Sequence, residues 1–156
     1  MSTTVPVNIY RSKETEEPEE FVYSPLSLDD IEDLDSWVRK RHIDLAKPHG
    51  ADVVAIALQQ ATTMTFMSGV GAKLLATVEG MAYLCWLSLS KKHPEVSITE
   101  SRKWMQDSRN ISNVREAFTE AAKRNPTPGT QRTKGPNKER KQKNHGKRGK
   151  KRKSKR

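Results

Sequence analysis

Leu74-Leu75-Ala76-Thr77-Val78-Glu79-Gly80-Met81-Ala82-Tyr83-Leu84-Cys85-Trp86-Leu87-Ser88-Leu89 is the most apolar stretch of the chain, and its reading decides the fold. Leu74, Val78, Met81, Cys85 and Leu89 form one row at helical spacing, and Leu75, Ala82 and Trp86 form the row beside it. Two adjacent rows make a wide apolar face, so a helix is expected from about Ala72 to Lys92. Lys91, Lys92 and His93 stand where cations suit the helix dipole, and Pro94 closes the element. The stretch has 16 residues and contains Glu79, too short and too charged for an easy membrane span.

The flanking segments read as further helices. Ser24-Pro25 is extended, because the residue before a proline avoids the helical region. Ser27 then caps a helix over about 28–46, with Asp29 and Asp30 in its first turn and Leu28, Ile31, Leu34, Val38 and Leu45 on one side. Lys47-Pro48-His49-Gly50 ends it. A second helix is expected from about Ala51 to Met67. Its apolar residues leave little polar face, so it is expected to be central, although Thr62, Thr63 and Thr65 lower its propensity. Ser68-Gly69-Val70-Gly71 reads as a break. Ser97-Ile98-Thr99-Glu100 is a capping box opening a fourth helix to about Asp107. After a loop over Asp107–Ser112, a fifth runs over about Asn113–Lys123. The expectation is an all-α, small single domain of about five helices over 21–124.

Charge divides the 156-residue chain more sharply than hydropathy does. Residues 1–124 carry 15 Lys+Arg against 18 Asp+Glu, a net −3, whereas residues 125–156 carry 14 against one, a net +13. Residues 125–156 hold no aliphatic, aromatic, Met or Cys side chain. Nothing there offsets the entropy cost of ordering, so a disordered basic C-terminal tail is expected. Its Lys147, Arg148, Lys150, Lys151, Arg152, Lys153, Lys155 and Arg156 suit any polyanion through counterion release. With no aromatic interleaved, base stacking is not available to it. Residues 1–20 read as a flexible acidic segment, with Glu14, Glu16, Glu17, Glu19 and Glu20 around Pro18. Val5, Val7 and Ile9 alternate as in a short edge strand or a segment ordered by a partner; a frayed terminus is the reading adopted.

Few chemistries survive inspection. A lone cysteine, Cys85, makes no internal disulfide, and its place on the apolar stripe fits a core thiol rather than a nucleophile. Met1–Tyr10 has no basic and apolar runs of a signal peptide. The Asp29–Asp35 acids lack the glycine and closing glutamate of a calcium loop, and no apolar pocket splits them into an acid and a base. They read as a solvated helix face, or as an acidic patch for a partner or for the chain's own tail. His42, His49, His93 and His145 have no metal spacing. No phosphate-binding or dinucleotide glycine motif occurs. No enzyme activity, cofactor or metal is expected. Trp86 is assigned to the core. Trp37 with Val38, and Trp104 with Met105, are the candidate partner anchors.

Tyr23-Ser24-Pro25-Leu26-Ser27-Leu28-Asp29-Asp30-Ile31-Glu32-Asp33-Leu34-Asp35-Ser36-Trp37-Val38 resembles the opening of tail assembly chaperones of long-tailed bacteriophages and prophages. Gly80–Glu100, with Leu84-Cys85-Trp86-Leu87-Ser88-Leu89, the Lys91-Lys92 pair and His93-Pro94-Glu95, is similar to a second segment of that family. The likeness covers about residues 21–107; residues 125–156 depart from it. The resemblance implies a small helical protein that binds the tape measure protein. It would keep that protein soluble in the host bacterial cytoplasm while tail tube protein polymerises around it, and would be absent from the mature virion. It also implies that a longer frameshifted product can exist, the Lys150-Lys151 pair being encodable by an adenine run. Self-association is a further expectation, and contact with a membrane is not. The competing reading is a small nucleic-acid-binding protein that uses the basic tail.

Overall fold

The computed structural model describes residues 4–124. The fold is mostly helical, with a two-stranded antiparallel sheet of β1 (Val5–Ile9) and β2 (Glu19–Tyr23) before six α-helices. These are α1 (Leu28–Ala46), α2 (Ala51–Ala61), α3 (Gly69–Leu75), α4 (Val78–Leu89), α5 (Ile98–Trp104) and α6 (Ser108–Arg124). Residues 125–156, with the expected tail, lie outside the described residues.

The sheet corrects the expectation of a frayed N-terminus and a purely helical fold. Val5 pairs with Tyr23, Val7 with Phe21 and Ile9 with Glu19. The period-two alternation turns Val5, Val7, Ile9, Phe21 and Tyr23 into the core and leaves Pro6 and Asn8 outside. A lone hairpin is marginal in water, and here both outer edges are partly occupied. Beside β2, the Val22 amide donates to His93 Nε2 (3.0 Å) and the Ser24 amide to the Ser88 carbonyl (3.1 Å). Beside β1, Asn110 of α6 acts as a surrogate strand residue. Its Oδ1 accepts from the Tyr10 amide and its Nδ2 donates to the Tyr10 carbonyl, both at 2.7 Å, while Asn113 Nδ2 donates to the Asn8 carbonyl (2.8 Å). These contacts cover part of each edge.

The first helix starts where its chemistry requires. Ser27 accepts from the Asp30 amide, and the Asp30 carboxylate accepts from the Ser27 amide (2.6 Å), a reciprocal box that satisfies two end donors. Asp30 also binds Lys91, which ties the start of α1 to the end of α4. Pro48 sits in a 3-10 turn, Lys47–His49, and Gly50 reverses the chain at φ 100°.

Several helix boundaries differ from expectation. The second helix stops at Ala61, not Met67. Thr62 Oγ1 bonds back to the Gln59 carbonyl (2.7 Å), and α1 captures the next residues. Arg39 Nε donates to the Met64 carbonyl (2.8 Å), and Asp35 accepts from the Phe66 amide (2.7 Å). That pinned turn buries Met64 and Phe66. The expected long third helix is two helices bent by 80°, α3 and α4. Thr77 caps α4, accepting from the Gly80 amide (3.1 Å) and donating to the Leu74 carbonyl (2.6 Å). At Gly80 an added Cβ would lie 2.4 Å from the Leu74 carbonyl oxygen, so the bend needs glycine. Gly71 likewise sits against the Thr65 carbonyl oxygen, and Ser68 caps α3, so the expected break is a helix start. The last helix begins at Ser108 rather than Asn113, because Asp107 accepts from the Arg109 amide (3.0 Å) and serves the exposed first turn.

The fourth helix is the centre of the molecule. Met81, Ala82, Leu84, Cys85, Leu87, Ser88 and Leu89 are buried, with α1, α3, α5, α6 and β2 around them. The core joins Leu34 and Val38 of α1, Trp104 and Met105, Val114, Ala117 and Ala121 of α6, and the inner face of the sheet.

Candidate functional site

The residues expected to anchor a partner do not share one surface. Val38 and Met105 are fully buried and Trp104 is 5% exposed, its ring 5.3 Å from that of Phe21. These three are core side chains, which corrects the expectation. Val38 faces inward on α1, which packs on α2, α3 and α4, and Trp104 lies between α4 and Phe21 of the hairpin. Trp37 is half-buried and stacks on Tyr83 at 5.5 Å with planes 15° apart. Trp86, expected in the core, flanks it instead, 5.7 Å from Tyr83. Lys147, Arg148, Lys150, Lys151, Arg152, Lys153, Lys155 and Arg156 lie outside the described residues.

Among the described helices, α2 carries the most exposed large apolar side chains. Its sequence, Ala51-Asp52-Val53-Val54-Ala55-Ile56-Ala57-Leu58-Gln59-Gln60-Ala61, has one charge, yet only Ala57 and Ala61 are buried. These alanines, one turn apart, let α2 approach α1 closely. The larger side chains point away, leaving Val53 41%, Ile56 56% and Leu58 51% exposed. Leu45 on α1 and Met67 after the pinned turn are 47% and 68% exposed. His42 Nε2 and Gln60 Oε1, 2.9 Å apart, hold α2 to α1. A helix apolar on nearly every side belongs in an interior, and a surface that displays one is equipped for apolar contact. The expectation of a central α2 is thus corrected. The signal in the sequence was the pairing of two small residues at i and i+4 on one side with Val53, Ile56 and Leu58 elsewhere.

A concavity of about 580 Å³ runs between β1 and α6, lined by Pro6, Asn8, Asn113, Glu116, Glu120 and Lys123 among others. Its lining mixes charges of both signs and offers no nucleophile paired with a base.

Burial pushes the Cys85 thiol up to about 11, which keeps it protonated and inert. Asp30 is pushed up by burial, but hydrogen bonds from Lys91 and Ser27 outweigh that and leave its carboxyl below the usual range. No group of three or more His, Cys, Asp or Glu side chains converges on a common point among the described residues. Among the described residues no single helix is long and apolar enough to cross a membrane. Comparison with protein families, with curated proteins and with solved structures finds nothing that matches this chain.

Proposed function

We propose that the protein is a non-enzymatic phage tail assembly chaperone that holds an apolar helical segment of a tape measure protein against the outer face of α2. The observation that carries this reading is the outward display of Val53, Ile56 and Leu58 on a helix with a single charge. A long, partly apolar helical client is kept soluble by covering its apolar stripe, and helix-in-groove contact does that. Covering half-exposed side chains of this size gives about 1 kcal/mol each. Val53 and Ile56, three residues apart on one side of α2, give about 2 kcal/mol before the costs of association. That suits a holder that yields its client to polymerising tail tube protein. The similarity of 23–38 and 80–100 to the chaperone family supports the choice of client, and with it action in the host cytoplasm and departure before the virion is complete.

The test is co-expression of the full chain with a tape measure protein. The native chain is expected to keep the client soluble, in a complex that survives about 0.5 M salt, where screening leaves a Debye length of a few ångströms. The variant Val53→Lys/Ile56→Lys/Leu58→Lys is expected to keep its helix content and lose the client. If this variant still holds the client, α2 is not the holding face; if the complex dissolves with salt while the chain binds DNA tightly, the nucleic-acid reading replaces this one.

A further inference from the structure

One wall of the groove between β1 and α6 is an incompletely paired strand edge. In an antiparallel pair, positions whose backbone groups face the partner strand alternate with positions whose groups face away. The Val22 amide goes to His93, so Val22 and the residue opposite it, Pro6, face away, and the alternation carries on to Asn8 and Tyr10. Asn110 takes both groups of Tyr10, Asn113 takes the Asn8 carbonyl, and Arg124 takes the Thr4 carbonyl (3.5 Å). The Pro6 carbonyl and the Asn8 amide are left over. Neither has a hydrogen-bond partner among the described residues, and both residues line the groove of about 580 Å³. That volume lies within the range of ligand pockets, about 300–1,000 Å³.

These two groups flank Val7, and their spacing selects the occupant. A parallel neighbour strand sets one residue opposite position i, donating to the carbonyl of i−1 and accepting from the amide of i+1. Pro6 and Asn8 stand in those two places. An antiparallel neighbour would instead exchange both bonds with Asn8, whose carbonyl Asn113 already holds.

The helix wall adds an order of charge. Asn113 meets Asn8 and Arg124 meets Thr4, so α6 runs antiparallel to β1. Glu116, about 4.5 Å along α6 from Asn113, stands near the level of Val7. Lys123, beside Arg124, stands near the level of Thr4 and Val5. Both are exposed, and neither has an ion-pair partner among the described residues, whereas Glu120 is held by Arg124. Arg115 also lines the groove, but about 200° around the helix from Asn113, at the outer rim. Buried Ala117 puts only a methyl group on the floor, which leaves depth for a side chain.

We propose that this groove takes an extended peptide segment of a partner protein as a third strand, parallel to β1. A basic residue lies opposite Val7, its amide donating to the Pro6 carbonyl, its carbonyl accepting from the Asn8 amide and its side chain meeting Glu116. An acidic residue two positions earlier lies opposite Val5 and meets Lys123. Strand addition of this kind draws affinity from main-chain bonds and specificity from alternate side chains. The site is separate from the α2 face and does not depend on it.

The end-blocked peptide Thr-Glu-Thr-Lys-Thr, titrated to millimolar concentration into the isotope-labelled full chain and followed by NMR, tests this. Its Glu and Lys, two apart, fall on one side of a strand. The Asn8 amide is expected to shift downfield and to exchange more slowly with solvent, while the amides of α2 stay in place. The charge-reversed peptide Thr-Lys-Thr-Glu-Thr is expected to bind about fivefold more weakly at low salt, the worth of two exposed ion pairs. Methylating the backbone nitrogen of the peptide lysine, which removes the donor to Pro6, is expected to abolish the Asn8 shift. In full-length Glu116→Lys/Lys123→Glu, altered only at exposed side chains, the preference between the two peptides is expected to reverse. No shift at Asn8, equal binding of the methylated peptide, preference of the native chain for the reversed order, or an Asn8 shift that follows protein concentration without peptide would each overturn the proposal.

Discussion

Gly80→Ala separates the bent α3–α4 arrangement from a continuous helix by the sign of its effect. In an uninterrupted helix over 72–92, the substitution would stabilise the protein by up to about 1 kcal/mol, the difference in helix propensity. In the bent arrangement the new Cβ meets the Leu74 oxygen at 2.4 Å, the Leu75 oxygen at 2.5 Å and Leu75 Cα at 2.6 Å. All three are backbone atoms, so no side-chain rotation relieves the clash. Either α3 moves away from α4 by about an ångström or the Thr77 cap opens. Overpacking of this kind costs about 1–3 kcal/mol or more. Taking the upper end and subtracting the propensity gain leaves a net loss of about 2 kcal/mol. With a urea m-value of about 1–2 kcal/mol/M for this size, the midpoint falls by about 1–2 M. Far-ultraviolet circular dichroism of the full chain in urea measures it. Gly69→Ala is the internal control, since its added Cβ meets nothing within 4 Å and no loss is expected. A Gly80→Ala midpoint equal to or above the native one would refute the bend.

Three further outcomes follow from the buried polar groups. Asn110→Ala is expected to cost about 2–3 kcal/mol, because it strips partners from the Tyr10 amide and from the Tyr10 and Trp104 carbonyls; Asn110→Asp, which sets an oxygen against two carbonyls, is expected to cost more in the same urea melts. Asp30 has a lowered pKa in the fold, so its stabilising contribution is present above the unfolded value near 3.8 and is lost as pH falls below it; thermal melts between pH 5 and 2 are expected to show a shallower acid limb for Asp30→Asn. Cys85, fully buried, is expected to react with a thiol reagent at pH 8 only through opening of α4, and labelling as fast as a free thiol would contradict its place in the core.

The features legible in the sequence are those with local causes. Ser27 with Asp30 and Ser97 with Glu100 each cap a helix from within four residues, and both starts were readable from side-chain chemistry alone. The hairpin was not readable in this way, because its stability comes from far along the chain. Asn110 and Asn113 hold the edge of β1 from 100 and 105 residues away, and His93 holds β2 across 71. Val5, Val7 and Ile9 displayed the right alternation, but alternation without a visible partner is indistinguishable from a loose terminus. The break at Thr77 failed for a different reason. Apolar periodicity runs unbroken from Leu74 to Leu89, and periodicity records which side is apolar, not whether the axis turns. Thr77 followed by Gly80 was the only mark of the bend, and its meaning depends on the close approach of α3.

The second helix shows why composition misplaces an exposed face. Apolarity counts what a segment could bury, whereas burial depends on what the rest of the chain can put against it. Here α4 takes the central place, enclosed by α1, α3, α5, α6 and the sheet, and no further element among residues 4–124 remains to cover α2 beyond α1 and the short turn before it. If the outer face met only water, Glu, Lys or Gln at 53 and 56 would serve better, because Val and Ile are poorer helix formers. Local propensity disfavours these residues and internal packing does not use them. Their side chains gain free energy only by leaving water against another apolar surface.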